Sequence, residues 1–333
     1  MIKLSQNENA FGTPPLALKA IEAHSRSVFR YPDPFLNELK QKLADKHSVT
    51  PGNIIISAGS VALIDILIKT FVNPDENIIT AEVTWVGYKI MAGIHRRTCK
   101  LAKLVNHSIN LDNVFSLCDD KTRIVFIANP NNPTSTMFTH DDLKDFMQAI
   151  PSGVYVVVDE AYAEYVTDRG YPDSFELQKT FPNLIIFRTF SKIYGLAGLR
   201  IGYAIARTDI IQSLQKHWTP FSVNSLAAVA ASAALDDTEY IEKCAANNAK
   251  ERILLYNELK GMGFNTTVPH GNFVFVAFDT VDENDKVVNM LEDDGILVRP
   301  LETFGAETAL RITVGLPEEN RQLIRSLKRM IGD

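Results

Sequence analysis

The chain has 333 residues, long for a single core and suited to one large domain with a smaller companion. Hydrophobic residues make up 46% and charged residues 22%, the balance of a globular protein with a substantial core, and a formal net charge of −6 gives a nucleic-acid partner no electrostatic support. The longest weakly polar stretch, Ser225 to Leu235, is too short to cross a bilayer, and the N-terminus lacks the apolar core of a signal peptide, so a cytoplasmic protein away from membranes is expected.

Cys99, Cys118 and Cys244 show neither metal nor redox spacing and read as reduced, buried thiols. From the N-terminus, a polar start and Pro14-Pro15 lead into a helix from Leu16 to about Ser25. In Tyr31-Pro32-Asp33-Pro34 each proline pushes its predecessor towards extended geometry, which puts Tyr31 on a stiff, exposed loop. A helix over Leu36–His47 precedes a buried strand at Asn53–Ser57, then Ala58-Gly59-Ser60-Val61 and a helical run from Ala62 to Phe71. A glycine turn between strand and helix offers backbone amides to an anion such as phosphate, although the same turn also serves as a plain cap.

Asn77–Ala81 is the next strand, with Trp85 just beyond its end, and Arg123–Ala128 runs into Asn129-Pro130-Asn131-Asn132-Pro133-Thr134. Val154–Val158 runs into Asp159-Glu160-Ala161-Tyr162, and the branched run Leu184–Phe187 gives way to Thr189, Ser191 and Lys192, followed by Gly195, Gly198 and Arg200. This alternation predicts a mainly parallel α/β sheet flanked by helices. Gly59, Trp85, Asn132, Asp159 and Lys192 then all fall at the carboxyl ends of strands, where such sheets bind ligands. A helix from Glu239 to Gly261 leads to a smaller α+β domain with strands near Phe273–Phe278, Ile296–Arg299 and Ala309–Val314, and helices near Glu283–Asp293 and from Pro317. The expected division is a large domain over 31–240 and a small one formed by 1–30 and 241–333.

Lys192 sits at the mouth of a buried strand, where partial desolvation disfavours an ammonium and frees an amine to attack a carbonyl. A lysine taken alone is more often a surface residue. Its neighbours carry the argument: Ser191 adjoins it, Arg200 follows behind two glycines, and Asp159 ends another buried strand. SKIYGLAGLRIG resembles the lysine motif of fold-type-I pyridoxal-phosphate enzymes and is most similar to that of the histidinol-phosphate aminotransferase group. Competing chemistries lack their parts. There is no GxxxxGK[ST] loop for a nucleotide hydrolase, no GxGxxG opening a helix for a dinucleotide, and no HExxH for zinc. Pyridoxal phosphate needs a lysine for its aldehyde, an acid for its pyridinium and a nest of amides, hydroxyls and a cation for its phosphate. Lys192, Asp159, and Gly59, Ser60 and Val61 with Ser191 and Arg200 meet those needs in turn.

The resemblance covers nearly the whole chain. ENAFG looks like the family's ENPxG, and YPDP matches a segment whose tyrosine reaches the cofactor phosphate of the neighbouring subunit, which implies a homodimer with Tyr31 acting across it. Trp85 matches the aromatic residue stacked on the cofactor ring, Asn132 and Tyr162 the residues bonding its 3-oxygen, and PFSVNSL at Pro220 to Leu226 is similar to a family segment as well. Arg299 in LVRPL and Arg311 in LRITVG match arginines that hold the substrate's acidic groups. The implied activity is transamination in histidine biosynthesis. Lys192 is joined covalently to the cofactor and then carries the proton at the substrate Cα, with Asp159 and Tyr162 beside it; L-histidinol phosphate or glutamate is the donor and 2-oxoglutarate an acceptor. An aminotransferase for aromatic or modified amino acids, a phosphothreonine decarboxylase of related fold and a non-catalytic binding module are the alternatives. Three departures stand out. NPTG appears as NPTS with Ser135, Val61 and Ala62 replace acidic residues, and Met1 stands three residues before Leu4, where family members carry an arm that contributes to substrate contact.

Overall fold

The computed structural model describes residues 1–332. After a short N-terminal strand β1 (Ile2–Lys3), seven strands form the central sheet: β2 (Ile54–Ser57), β3 (Asn77–Ala81), β4 (Thr98–Ala102), β5 (Thr122–Ala128), β6 (Tyr155–Asp159), β7 (Leu184–Thr189) and β8 (Gly202–Ile205). Their order is β2-β8-β7-β6-β5-β3-β4. β8 runs antiparallel to both its neighbours and every other pairing is parallel, so the sheet is mainly parallel, as its apolar runs indicate. Those runs show no alternation because both faces are covered. On β6, Val157 packs with Ile64, Tyr88 and Ile185 on one side, while Val156 and Val158 pack with Leu143 and Phe146 on the other. Successive side chains of a strand point to opposite faces, and here each face meets helices.

A second sheet of four antiparallel strands has the order β12-β13-β10-β9 and is built from β9 (Asn265–Thr266), β10 (Phe273–Ala277), β12 (Arg299–Pro300) and β13 (Ala309–Thr313). It packs with the helices Thr238–Gly261, Val281–Asp293 and Pro317–Ile331 around Val274, Leu310, Ile312 and Leu323. The single strand expected at Ile296–Arg299 is two. β11 (Ile296–Leu297) pairs with β1 in a separate two-stranded sheet, whereas Arg299 and Pro300 pair with β13. Pro300 has no N–H to donate, which confines β12 to a sheet edge.

Of the first thirty residues, β1 and Leu4 join the small sheet's core, while the helix Pro15–His24 lies along Ser225–Asp236. Ala17, Ala227, Ala230, Ala231 and Ala234 are fully buried there, and their small side chains let the two helices approach closely. Between these contacts the chain crosses the mouth of the large sheet, where Asn7 N donates to Thr313 Oγ1 over 2.9 Å and Asn272 Nδ2 donates to Asn7 O over 3.1 Å. No helix among the described residues is long and apolar enough to cross a membrane. Cys244 is buried as expected, but Cys99 and Cys118 are only partly so, because β4 is an outer edge of its sheet and the residues after the helix Leu111–Ser116 face solvent on one side.

Candidate active site

The loops at the carboxyl ends of β2, β3, β5, β6 and β7 enclose a cleft of about 280 Å³. Ser60, Val61, Trp85, Asn132, Asp159, Tyr162, Ser191, Lys192 and Arg200 all line it, together with Gln6, Glu8, Tyr88 and Thr189. Lys192 follows β7 by three residues. Its Nζ donates to Gln6 O over 3.2 Å and lies 5.5 Å from the centre of the Tyr162 ring, so the amine faces the cleft.

Asp159 ends β6 and is buried. Its Oδ2 accepts the Tyr88 hydroxyl at 2.8 Å and its Oδ1 accepts Ala161 N at 3.2 Å. Burial raises its pKa; the bonds from Tyr88 and Ala161 and the charge of Lys192 oppose that rise. The carboxyl thus sits dry at the floor of the cleft, where a cationic partner would favour its ionised form. Trp85 meets Tyr88 edge-on at 5.3 Å. A Cβ on Gly87 would lie 2.7 Å from an indole carbon, so only glycine lets the indole fold over there.

The turn after β2 has the same character. Gly59 has φ +86°, and a side chain there would run into Arg200 Nη2. Arg200 donates through Nη1 to Ala197 O at 2.9 Å and, at 3.4 Å, to Ser191 Oγ. The guanidinium, the Ser191 hydroxyl and the first amides of the helix Ser60–Phe71 therefore border one corner of the cleft, a combination that binds a phosphate.

On the other wall, Asn132 Oδ1 accepts Arg311 Nη1 and Tyr162 Oη accepts Asn7 Nδ2 at 3.0 Å. Arg311 lies on β13, buried between the rings of Phe273 and Phe304, with Nη2 donating to Ser5 O at 2.7 Å and Nε without a partner. Burial pushes its pKa down to about 10, with Arg299 adding to the effect and Tyr162 opposing it. Arg299 pairs with Arg311 across β12 and β13 and its side chain turns to Thr303 Oγ1; neither arginine lines the cleft itself. Tyr31 does not enter it either. It is 85% exposed, rests 5.0 Å from the Phe221 ring and lines a separate cleft with Arg30, Asp33 and Ser225.

Glu160 takes no part. As the residue after Asp159 it points the other way, where Arg188 Nη2 meets it at 2.7 Å and Ser174 Oγ donates to it at 2.5 Å. Arg188 also meets Glu164 at 3.1 Å. The Asp159-Glu160 pair accordingly cannot act together on a metal, and no group of three or more potential metal ligands occurs among the described residues. Sequence reasoning missed the roles of Tyr88, Asn7 and Gln6. Tyr88 stood in the segment that singled out Trp85, and a phenol three residues past an aromatic at a strand end was the available signal. For Asn7 and Gln6 there was none, since their partners lie 155 to 306 residues away.

The donor set fits pyridoxal phosphate: a primary amine in the cleft, a buried carboxyl for a ring cation, an indole on the cleft wall, and a phosphate corner that a single Cβ at Gly59 would obstruct. Fold and cleft together define a cofactor-dependent group-transfer enzyme. Comparison with known proteins specifies it: the chain belongs to the family of class I and II aminotransferases, whose pattern it matches over residues 1–327, and its cofactor is pyridoxal phosphate. It is 39% identical over 331 residues to a histidinol-phosphate aminotransferase of Anaeromyxobacter sp. (strain Fw109-5), an alignment covering 99% of this chain and 91% of the relative. It is 40% identical over 335 residues to one of Caldicellulosiruptor saccharolyticus, covering 99% and 92%. Among solved structures, the histidinol-phosphate aminotransferase of Sinorhizobium meliloti in complex with pyridoxal-5'-phosphate superposes with a TM-score of 0.91 at 27% identity, covering 99% of this chain and 90% of the other.

Proposed function

We propose that the chain is a homodimeric histidinol-phosphate aminotransferase that converts L-histidinol phosphate and 2-oxoglutarate to imidazole acetol phosphate and L-glutamate. The observation that carries this reading is Arg311, a buried guanidinium bonded to Asn132 of the cleft wall, with an unpartnered Nε and a second arginine, Arg299, paired across the sheet. Two cations suit substrates whose acidic group is either a phosphate or a second carboxylate. Names of the relatives support the same donor.

Bound pyridoxal phosphate supplies an electron sink for the pair left when the substrate's Cα–H bond breaks. The rest falls to this chain. Lys192 Nζ takes the proton from Cα and later delivers one. Asp159 keeps the ring nitrogen protonated. Trp85 would cover the cofactor ring, and Asn132 and Tyr162 would hold its 3-oxygen. The Gly59, Ser60 and Val61 amides, with Ser191 and Arg200, would hold its phosphate, and Tyr31 would complete the phosphate site of the partner subunit. Arg299 and Arg311 take the substrate's acidic groups, Arg299 swinging from Thr303 to do so. Residues 31–240 form the cofactor domain and 1–30 with 241–333 the small domain, with the helix Pro15–His24 docked on the former; the enzyme works in the cytoplasm.

Turnover of L-histidinol phosphate, phenylalanine and phosphothreonine, each with 2-oxoglutarate, tests the assignment. Preferential glutamate formation from histidinol phosphate, abolished by Lys192→Ala, is expected. Preference for phenylalanine would reassign the donor to aromatic amino acids, and carbon dioxide release from phosphothreonine would reassign the reaction.

A further inference from the structure

Ser135 stands where the resembling motif carries glycine, and it keeps the glycine-like backbone, with φ +60° and no exposure to solvent. A serine in the left-handed region is strained, so what its side chain does there matters. Its Oγ accepts Gly271 N at 2.9 Å and His270 N at 3.2 Å, and its carbonyl accepts His270 N at 2.8 Å. Ser135 N in turn donates to Asn131 O at 2.8 Å, which closes the turn that presents Asn132. The hydroxyl thereby joins the large sheet's cleft loop to the segment that enters β10.

That segment governs the opposite wall. Asn272, one residue on, donates to Asn7 O and accepts Val314 N, and Phe273 pairs with Thr313 and lies 5.5 Å beneath the Arg311 guanidinium. We propose that Ser135 is a positioning residue whose hydroxyl pins the small sheet to the Asn132 turn and so sets the distance between Arg311 and the cofactor. Without the hydroxyl, His270 N keeps the Ser135 carbonyl but Gly271 N loses its acceptor, and the β10 entry loosens on the side facing Asn132. The consequence belongs to capture of the substrate's acidic group, not to cofactor binding, since none of the residues lining the phosphate corner touches Ser135. The inference rests on the assignment of that group to Arg311.

Two variants separate the hydroxyl from the strain. Ser135→Gly removes both, whereas Ser135→Ala removes the hydroxyl and keeps the strained φ, so the alanine variant melts at the lower temperature. With rates normalised to bound pyridoxal phosphate, the KM for 2-oxoglutarate and the inhibition constant of succinate are expected to rise on the order of fivefold in both variants alike, the effect of one lost hydrogen bond. The kcat should change by less than about twofold, because the removed contact positions the ground state and transition state equally. Unchanged KM in both variants, or a change that follows melting temperature, overturns the proposal. Arg311→Lys serves as the reference: if it leaves the 2-oxoglutarate KM unaltered, the assignment of Arg311 is what fails, and the Ser135 proposal falls with it.

Discussion

At the scale of the residue, Asp159 pits stability against chemistry. Burial raises its pKa in the protein without cofactor, so its favourable contribution is full below the unfolded carboxyl's pKa and is lost as pH rises through the folded value. Ionising Asp159 therefore costs stability until a ring cation arrives. Asp159→Asn is expected to leave the cofactor-free protein melting at or above the wild-type temperature at pH 7 while lowering kcat by about 100-fold or more, read from paired calorimetric and kinetic measurements. Tyr88 acts through this carboxylate, since its 2.8 Å bond is one of the two that offset desolvation. Removing that donor with Tyr88→Phe should lower kcat about tenfold with little change in melting, and should move the acid limb of the pH–rate profile upward. Asp159 was legible in the sequence because an acid closing a branched apolar run has few structural uses. Tyr88 offered only its place three residues after Trp85, because the bond that gives it a role reaches a strand 71 residues away.

Among elements, the strand-turn-helix unit from β2 to Phe71 was read correctly because each part has its own local signal: Ile54–Ile56 for the strand, Gly59 for the turn, and the apolar periodicity after it. Its function depends on how closely Gly59 and Arg200 approach. Gly59→Ala must move the guanidinium and adopt a strained φ, so the dissociation constant for pyridoxal phosphate should rise at least about tenfold, measured by absorbance titration. The direction of β8 was not legible. A strand buried on both faces has the same composition whether it runs parallel or antiparallel.

His47 ties another pair of elements, ending the helix Asn37–His47 and bonding the Tyr203 hydroxyl of β8 at 2.9 Å while stacked on Phe175. Burial, with the charges of Arg188 and Lys46, holds its pKa down at about 3. The unfolded chain takes up this proton first. The contribution is full above the ordinary histidine value near 6.5 and drains away as pH falls towards about 3, a loss on the order of a few kcal/mol. Denaturant titrations across that window should show a shallower acid loss for His47→Phe than for the wild type, although the variant starts less stable at pH 7.

For the whole molecule, the distribution of exposed apolar residues matters most. Phe29, Tyr31 and Phe35 are each more than half exposed along one stretch, with Tyr31 beside Phe221, and the proposed homodimer would cover such a surface. If Tyr31 serves the partner's cleft, Tyr31→Ala and Lys192→Ala proteins, each nearly inactive, should regain activity when mixed and allowed to exchange subunits. One site of the mixed dimer then carries neither change. Absence of regained activity in a mixture shown to contain mixed dimers would show that Tyr31 does not act across the subunits.

The large sheet, and Trp85, Asn132, Asp159 and Lys192 at its cleft, were readable because apolar runs and the polar residues that end them are neighbours in sequence. The placing of Arg299 was not, since the break at Val298 reflects pairing with β1, almost three hundred residues earlier. That pairing also bears on how the protein is made. Residues 2 to 7 leave the ribosome long before 296 to 313, yet Ile2 needs Ile296, Leu4 donates to Leu297 O, and Asn7 needs Thr313. At synthesis rates of about 5–20 residues per second, the opening segment waits about 15 to 60 seconds for the strands that hold it, while the large sheet can already form. Catalytic competence is therefore a late event in biogenesis. A nascent chain stopped short of β13 would carry Lys192, Asp159 and Arg200, but neither Arg311 nor the Thr313 hydroxyl that takes the Asn7 amide.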